Sequence, residues 1–286
     1  MKTSLMTSSE SLRLITSEIG FNPLNNSPKD WQSITEYPLL ILVGLTGVGK
    51  TTTTDALLNS ELNFSLLPNR RILTDQVIFP TITNSKDPIL CRIQRLELTK
   101  QYQQLYPPGM AYILSQLQVK KPLNNSLLIF DGLRGENEVT YAAKMLPNAQ
   151  FIVLEASNHI RLQRLINRQD TFDYINNYRS ESLPNINHKT DLDIPEFYKL
   201  LTPIQQQKWL TLINQGKIDI KELKDKVKII AKEQQNYDIV TSRNSLLKIA
   251  PERTLAVNTA LYSSQQIAQM IIRKMKTIIL KQRITA

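Results

Sequence analysis

Pro38-Leu39-Leu40-Ile41-Leu42-Val43-Gly44-Leu45-Thr46-Gly47-Val48-Gly49-Lys50-Thr51 is the stretch that decides the fold of this chain. Its first part is an unbroken apolar run, the pattern of a strand buried on both faces. Its second part fits G-x-x-x-x-G-K-[ST] in full, and helical sequence follows from Lys50 to about residue 59. The chemistry needs this spacing. Glycines let consecutive backbone amides curl round a phosphate, and the helix presents its positive N-terminus to it. Lys50 is placed to neutralise β- and γ-phosphates, and the Thr51 hydroxyl to ligate magnesium. The pattern predicts a P-loop that binds ATP with Mg2+, held by Gly44, Gly47, Val48, Gly49, Lys50, Thr51 and Thr52.

Glycine is otherwise scarce: of eight in the chain, three lie in this loop and two more are Gly132 and Gly135. These two flank the end of a second buried strand, Leu127-Leu128-Ile129-Phe130, which runs into Asp131-Gly132-Leu133-Arg134-Gly135. An Asp at the end of an apolar strand in a P-loop protein is the expected second carboxylate for magnesium, so the metal pair is Thr51 and Asp131. Gly132 stands where many ATP-hydrolysing machines carry a Glu that activates water. Arg134 is placed to reach a second anion beside the γ-phosphate, which suits transfer to an acceptor better than attack by water.

Further strands are predicted at 71–74, 150–154 and 254–257. Helices are predicted across 89–118 (bent at Pro107-Pro108-Gly109), across 136–146, from an Asn158 cap to Arg168, and from Ser263 or Ser264 to about Lys281. Strands alternating with helices imply an α/β fold, a parallel sheet with helices on both faces. The alternation stops between Asp170 and Ile249, where helical patches appear near 203–215 and 218–235. The second patch interleaves Lys, Glu and Asp and is expected mostly in solvent. Residues 1–37 read as an N-terminal extension with a short amphipathic helix around 9–19. The division is thus 1–37, a core at 38–173, a helical insertion or lid at 174–249, and core completion at 250–286.

The run Asp131-Gly132-Leu133-Arg134-Gly135-Glu136-Asn137-Glu138-Val139 resembles the Asp-Gly-Ile-Arg-Ser-x-x-Glu-Val stretch of an archaeal family of nucleotide kinases similar to dephospho-CoA kinase and adenylate kinase. Ile152-Val153-Leu154-Glu155-Ala156-Ser157, with Arg161, Arg164-Leu165 and Arg168, is similar to that family's fourth strand and arginine-bearing helix. Residues 255–264 are similar to its last strand and capped helix. The resemblance covers about 38–173 and 250–280. It implies the nucleoside-monophosphate-kinase branch of P-loop NTPase folds, a five-stranded parallel sheet in the order 2-3-1-4-5. The family follows its second strand with Gly-Asp-x-x-Arg. Here Thr74-Asp75 aligns with Gly-Asp, and Ile78 stands in place of the Arg. The polar stretch 174–249 is also longer than an ordinary lid.

Asp75 is a candidate general base if a hydroxyl is the acceptor, or a sugar or amine ligand if the acceptor is a phosphate, or a helix N-cap. Arg161, Arg164 and Arg168 occupy neighbouring faces of one helix, and one or two are expected to clamp transferring phosphates. Arg168 is the favoured catalytic member and Arg164 the nucleotide-binding one; Arg92 and Arg95 are weaker acceptor-site candidates. His188-Lys189-Thr190-Asp191 lacks the Asn and the preceding strand of a guanine-reading motif. On the last helix Ile267, Ile271, Met275 and Ile278 share one face, suited to packing on the sheet.

Composition bounds the rest. The formal charge is +10 and scattered, which favours a polyanionic ligand over a nucleic-acid partner. The single cysteine, Cys91, allows no internal disulfide and points to a reducing cytoplasm. Residues 1–21 carry no apolar block of the sort a secretory signal needs, and no stretch is long enough for a membrane span. The sequence therefore predicts an ATP-dependent kinase acting on a small-molecule or nucleotide acceptor, with Lys50, Asp75, Asp131, Arg134 and Arg168 as catalytic residues. An ATP-responsive regulatory module with little turnover, carrying a protein partner on 174–249, is the alternative; a nucleic-acid-end kinase or nucleic-acid-dependent ATPase is a third reading.

Overall fold

A computed structural model describes residues 12–23, 28–85, 87–121, 127–168 and 194–285. The described residues begin with three short strands, β1 (Arg13–Leu14), β2 (Ile19–Phe21) and β3 (Trp31–Ser33). The helix expected around 9–19 does not form over its described residues. The Thr16 hydroxyl accepts from the Ile19 amide at 3.0 Å and closes a turn, so β1 and β2 pair antiparallel. Ile15 in that turn and Ile19 on β2 are buried in the main core with Ile34.

Next comes β4 (Leu39–Val43), with all five residues buried. Alternate side chains face opposite ways along a strand. Leu39, Ile41 and Val43 accordingly enter one core and Leu40 and Leu42 the other. The chain continues through α1 (Lys50–Leu58) to β5 (Ser65–Leu66), which pairs parallel to a later strand and is the second strand of the large sheet. The strand expected at 71–74 is helical instead. The Asn69 side chain caps the Ile72 amide at 3.1 Å and starts α2 (Arg70–Leu73), which runs through a π turn at Thr74–Ile78 into α3 (Phe79–Thr83). The segment after strand two is therefore Leu67-Pro68-Asn69-Arg70-Arg71. Arginines stand there, and Thr74, Asp75 and Ile78 lie further on, in the π turn.

Helices α4 (Arg92–Leu105) and α5 (Met110–Ser115) are separated at the Pro-Pro-Gly bend. The helical expectation runs too far at its end: residues 117 and 118 instead open β6 (Leu117–Lys120), which pairs antiparallel with β2 and β3. A four-stranded antiparallel sheet, β1-β2-β6-β3, thus ties the N-terminal segment to the body of the protein.

The remaining core elements are β7 (Leu128–Leu133), α6 (Glu136–Met145), β8 (Ala149–Glu155) and α7 (Asn158–Asn167). After the inserted helices α8 (Pro195–Leu200), α9 (Pro203–Asn214), α10 (Ile220–Asn236) and α11 (Ile239–Ile249) come β9 (Thr254–Asn258) and α12 (Ser264–Thr285). The large sheet has the order β5-β7-β4-β8-β9 with every pairing parallel. Counted along the chain this is 2-3-1-4-5, a P-loop kinase-like architecture. Ser157, rather than Asn158, caps α7. Ile267, Ile271 and Met275 of α12 are buried against the sheet, while the side chain of Ile278 lies outside the described residues.

The inserted helices differ most from expectation. α10 does not lie mostly in solvent: Leu223, Val227 and Ile230 join Leu162, Leu165, Phe197 and Trp209 in a separate apolar cluster. Its Lys and Glu residues disguise an apolar stripe at helical spacing.

Candidate nucleotide site

The loop between β4 and α1 crosses the carboxyl end of the sheet next to Asp131. Gly47 has φ +83° and Gly49 has φ +96°, conformations that favour residues without a Cβ. Gly49 is the N-cap of α1, with no side chain bonding the first-turn amides and no acid in that turn. Uncapped amides with the positive end of the helix dipole behind them are an arrangement that suits an anion.

The Lys50 ammonium donates to the carbonyls of Gly44 at 3.0 Å and Leu45 at 3.2 Å, and lies 3.9 Å from Asp131 Oδ1. Burial pushes its pKa down to about 8; Asp131 opposes this, Arg134 adds to it, and Glu233 opposes it. Asp131 Oδ1 is buried with no hydrogen-bond partner. Thr51, exposed in the first turn of α1, lines the same cavity. A hydroxyl and an unsatisfied carboxylate oxygen are the hard oxygen donors magnesium prefers, so these residues fit the ion.

The cavity holds about 940 Å³ and extends from Asn69–Arg71 and the α4 face of Arg92, Arg95 and Thr99, past the loop, to Thr259 and Tyr262 near α12. Its lining contains Lys50 and seven arginines, at positions 70, 71, 92, 95, 134, 164 and 168. Asp131 is the one acid among the described residues that line it. Such a wall suits two anionic groups side by side.

The expected residues separate into those that face this cavity and those that hold its walls. Gly47, Gly49, Lys50, Thr51, Thr52, Asp131, Arg134, Arg164 and Arg168 line it. Gly44 and Val48 shape the loop from behind: a Cβ on Gly44 would sit 2.7 Å from the Leu154 carbonyl, and the Val48 carbonyl accepts from the Thr259 hydroxyl at 2.8 Å. Arg164 braces the loop as well, donating to the Gly47 carbonyl at 3.2 Å and the Thr259 carbonyl at 2.8 Å.

Arg161 lies outside the cavity lining. It is fully buried, donating through Nε to the Thr46 carbonyl at 2.8 Å and through Nη2 to Glu233 at 2.6 Å. Asp75 also lies outside the lining; its carboxylate pairs with Arg95 and it caps no helix. Asp170 and residues 188–191 lie outside the described residues. His159 accepts from the Trp209 indole at 3.1 Å, an anchor between α7 and α9.

Two buried carboxylates organise the arginines: Glu138, the Glu of the run that resembles the kinase family, and Glu233, which was not among the expected site residues. Glu138 on α6 receives both Nη1 (2.8 Å) and Nη2 (2.7 Å) of Arg70, and also the Arg134 amide at 2.9 Å. Arg70 donates onward to the Gly132 carbonyl at 2.6 Å and the Tyr237 hydroxyl at 2.9 Å. Burial works against the Arg70 charge, but Glu138 and Tyr237 outweigh it and raise the pKa. Glu233 on α10 accepts from Arg134 Nη1 and Arg161 Nη2, each at 2.6 Å. It stands in phase with Leu223, Val227 and Ile230, and an acid on the apolar stripe of a helix is the signal that could have identified it.

A family model described as AAA domain matches residues 40–183. Among solved structures, the chain is similar to a shikimate kinase from Acinetobacter baumannii in complex with shikimate, at 14% identity and a TM-score of 0.33, with 87% of this chain and 96% of that chain covered. No curated protein matches the chain.

Proposed function

This chain belongs to the AAA domain family, and from that premise we propose that it is an ATP-dependent phosphotransferase of nucleotide-kinase type, passing the γ-phosphate of Mg-ATP to a small-molecule or nucleotide acceptor. The observation that carries the reading is the arginine-lined cavity running from the P-loop to α2 and α4. It offers room and positive charge for a second anionic ligand beside the nucleotide phosphates. Lys50 and the loop amides would hold the phosphates, with Arg164 fixing the loop. Thr51 and Asp131 would hold magnesium, which supplies charge neutralisation when bound. Arg134 and Arg168 would meet the transferring phosphoryl group, where fixed cations gain most from developing charge. Asp75 would act through Arg95, holding that guanidinium on the acceptor side. Gly132 leaves the position after Asp131 without a carboxylate to activate water.

The regulatory alternative has one specific support: the inserted helices reach the phosphate loop itself through Glu233. Turnover of Mg-ATP across a panel of nucleotides, nucleosides, coenzyme precursors and nucleic-acid ends decides between the readings, run beside Lys50→Ala and Asp131→Asn. Acceptor-dependent ADP formation that both variants abolish is expected. Tight ATP binding with negligible turnover for every acceptor would favour the regulatory module, and a fully active Lys50→Ala would sink the P-loop assignment.

A further inference from the structure

Thr46 is an unassigned x position of the phosphate-loop pattern, yet its polar groups are held from three separate helices. Its amide meets both carboxylate oxygens of Glu233, at 3.1 and 3.0 Å, and its hydroxyl donates to Glu233 Oε1 at 2.8 Å. The same hydroxyl accepts from Arg92 Nη2 at 2.8 Å, and its carbonyl accepts from Arg161 Nε. Glu233 is fully buried and also takes Arg134 Nη1. One carboxylate thus touches the crest of the loop, the arginine beyond β7 and the arginine of α7. It comes from α10, outside the residues 40–183 that match the family model.

The loop amides that follow Thr46 point at a phosphate only if the crest is held in one conformation, because the flanking glycines give it little stiffness of their own. Arg134 likewise has a choice of rotamers unless a partner on the wall selects one. We propose that Glu233 is a positioning residue for phosphate binding: acting through Thr46 and Arg134, it lets the inserted helix α10 set the geometry of the P-loop. The inference rests on the nucleotide-site reading above. It adds that the phosphate site is complete only when α10 is docked.

The test is nucleotide affinity in the full chain. Dissociation constants for Mg-ADP and for a non-hydrolysable Mg-ATP analogue are measured by titration calorimetry for wild type, Glu233→Gln, Glu233→Asp and Thr46→Val. Amide exchange across the loop is followed in parallel. Glu233→Gln keeps the shape and removes the charge. It should weaken both ligands by about 10- to 100-fold, the range that outer partners of ligand-holding groups command. The triphosphate analogue should lose more, because Arg134 is released as well as the loop. Glu233→Asp, which keeps the charge, should recover part of the loss. Thr46→Val breaks the hydroxyl's bonds to Glu233 and Arg92, leaves the ion pairs in place, and should weaken both ligands while loop exchange quickens ahead of the rest of the protein. It serves as the decisive variant should Glu233→Gln fail to fold.

A folded Glu233→Gln, or a Thr46→Val, that binds both nucleotides as wild type does would overturn the proposal. So would equal losses in Glu233→Gln and Glu233→Asp with loop exchange unchanged. Wild type that binds neither nucleotide would instead remove the nucleotide reading on which the proposal stands, a separate and distinguishable result.

Discussion

Nucleotide binding should draw a proton onto Lys50. In the unliganded protein burial holds its pKa at about 8, against an ordinary 10.5. A polyphosphate beside the ammonium favours the charged form and restores the ordinary range. Uptake should then be about 0.1 proton at pH 7, about 0.5 at pH 8 and about 0.9 at pH 9. The difference of 2.5 units (10.5 − 8) corresponds to about 3 kcal/mol, so affinity should fall as pH rises above 8. The assay is calorimetric titration with Mg-ADP in buffers of differing ionisation enthalpy at each pH, where the slope of heat against buffer enthalpy counts protons. Lys50→Arg is the control, since a guanidinium does not titrate in this range. It also removes any contribution from the nucleotide's own protons. The sign reverses for unliganded stability. A lysine whose folded pKa lies below its unfolded one costs stability while charged, so stability should rise as pH climbs from about 8 to 10.5. Wild-type uptake that is flat from pH 7 to 9, or identical in Lys50→Arg, would refute the reasoning.

Glu138→Gln removes the counter-charge of buried Arg70 and should cost about 3–5 kcal/mol in urea unfolding; a loss under about 1 kcal/mol would show the pair to be dispensable. Burial raises the Glu233 pKa, but Arg134, Arg161 and Arg92 outweigh it and hold the group at about 2 against an ordinary 4.5. Its stabilisation, about 3 kcal/mol from those 2.5 units, is present above pH 4.5 and lost as pH falls toward 2. The stability gap between wild type and Glu233→Gln should therefore shrink by more than half between pH 7 and pH 3, and a constant gap would contradict the assignment. Gly132→Ala would place a Cβ 2.7 Å from that of Arg70 and should cost about 1–3 kcal/mol by thermal unfolding, with a neutral effect arguing against tight packing there.

The P-loop was legible because one segment carries its whole argument. The apolar run, the glycines and Lys50 are adjacent, and local bonds such as Lys50 to the Gly44 carbonyl span only a few residues. The strand ending in Asp131 was legible for the same reason, although β7 extends on to Leu133. Strand two was misplaced because β5 has only two residues, too few to show any period, whereas Arg71-Ile72-Leu73-Thr74 has strand-like content. Asn69 decided that matter by capping a helix. The N-terminal strands were hidden similarly: β1 and β2 are short, and β6, the further partner of β2, lies about a hundred residues on.

The sequence by itself therefore determined the α/β class, the glycine loop and its lysine, and the strand that carries Asp131. Each depends on residue types at fixed short spacing, which local backbone geometry turns into structure. The tertiary structure alone decided which charges face the cavity and which hold it together. Arg161 reads like a phosphate clamp and is instead a buried brace. Glu233 reads like one more acid on a solvated helix, and it closes on a loop amide 187 positions away. A charge buried in a folded protein must find its counter-charge wherever the chain brings one, and spacing along the sequence carries no record of that meeting.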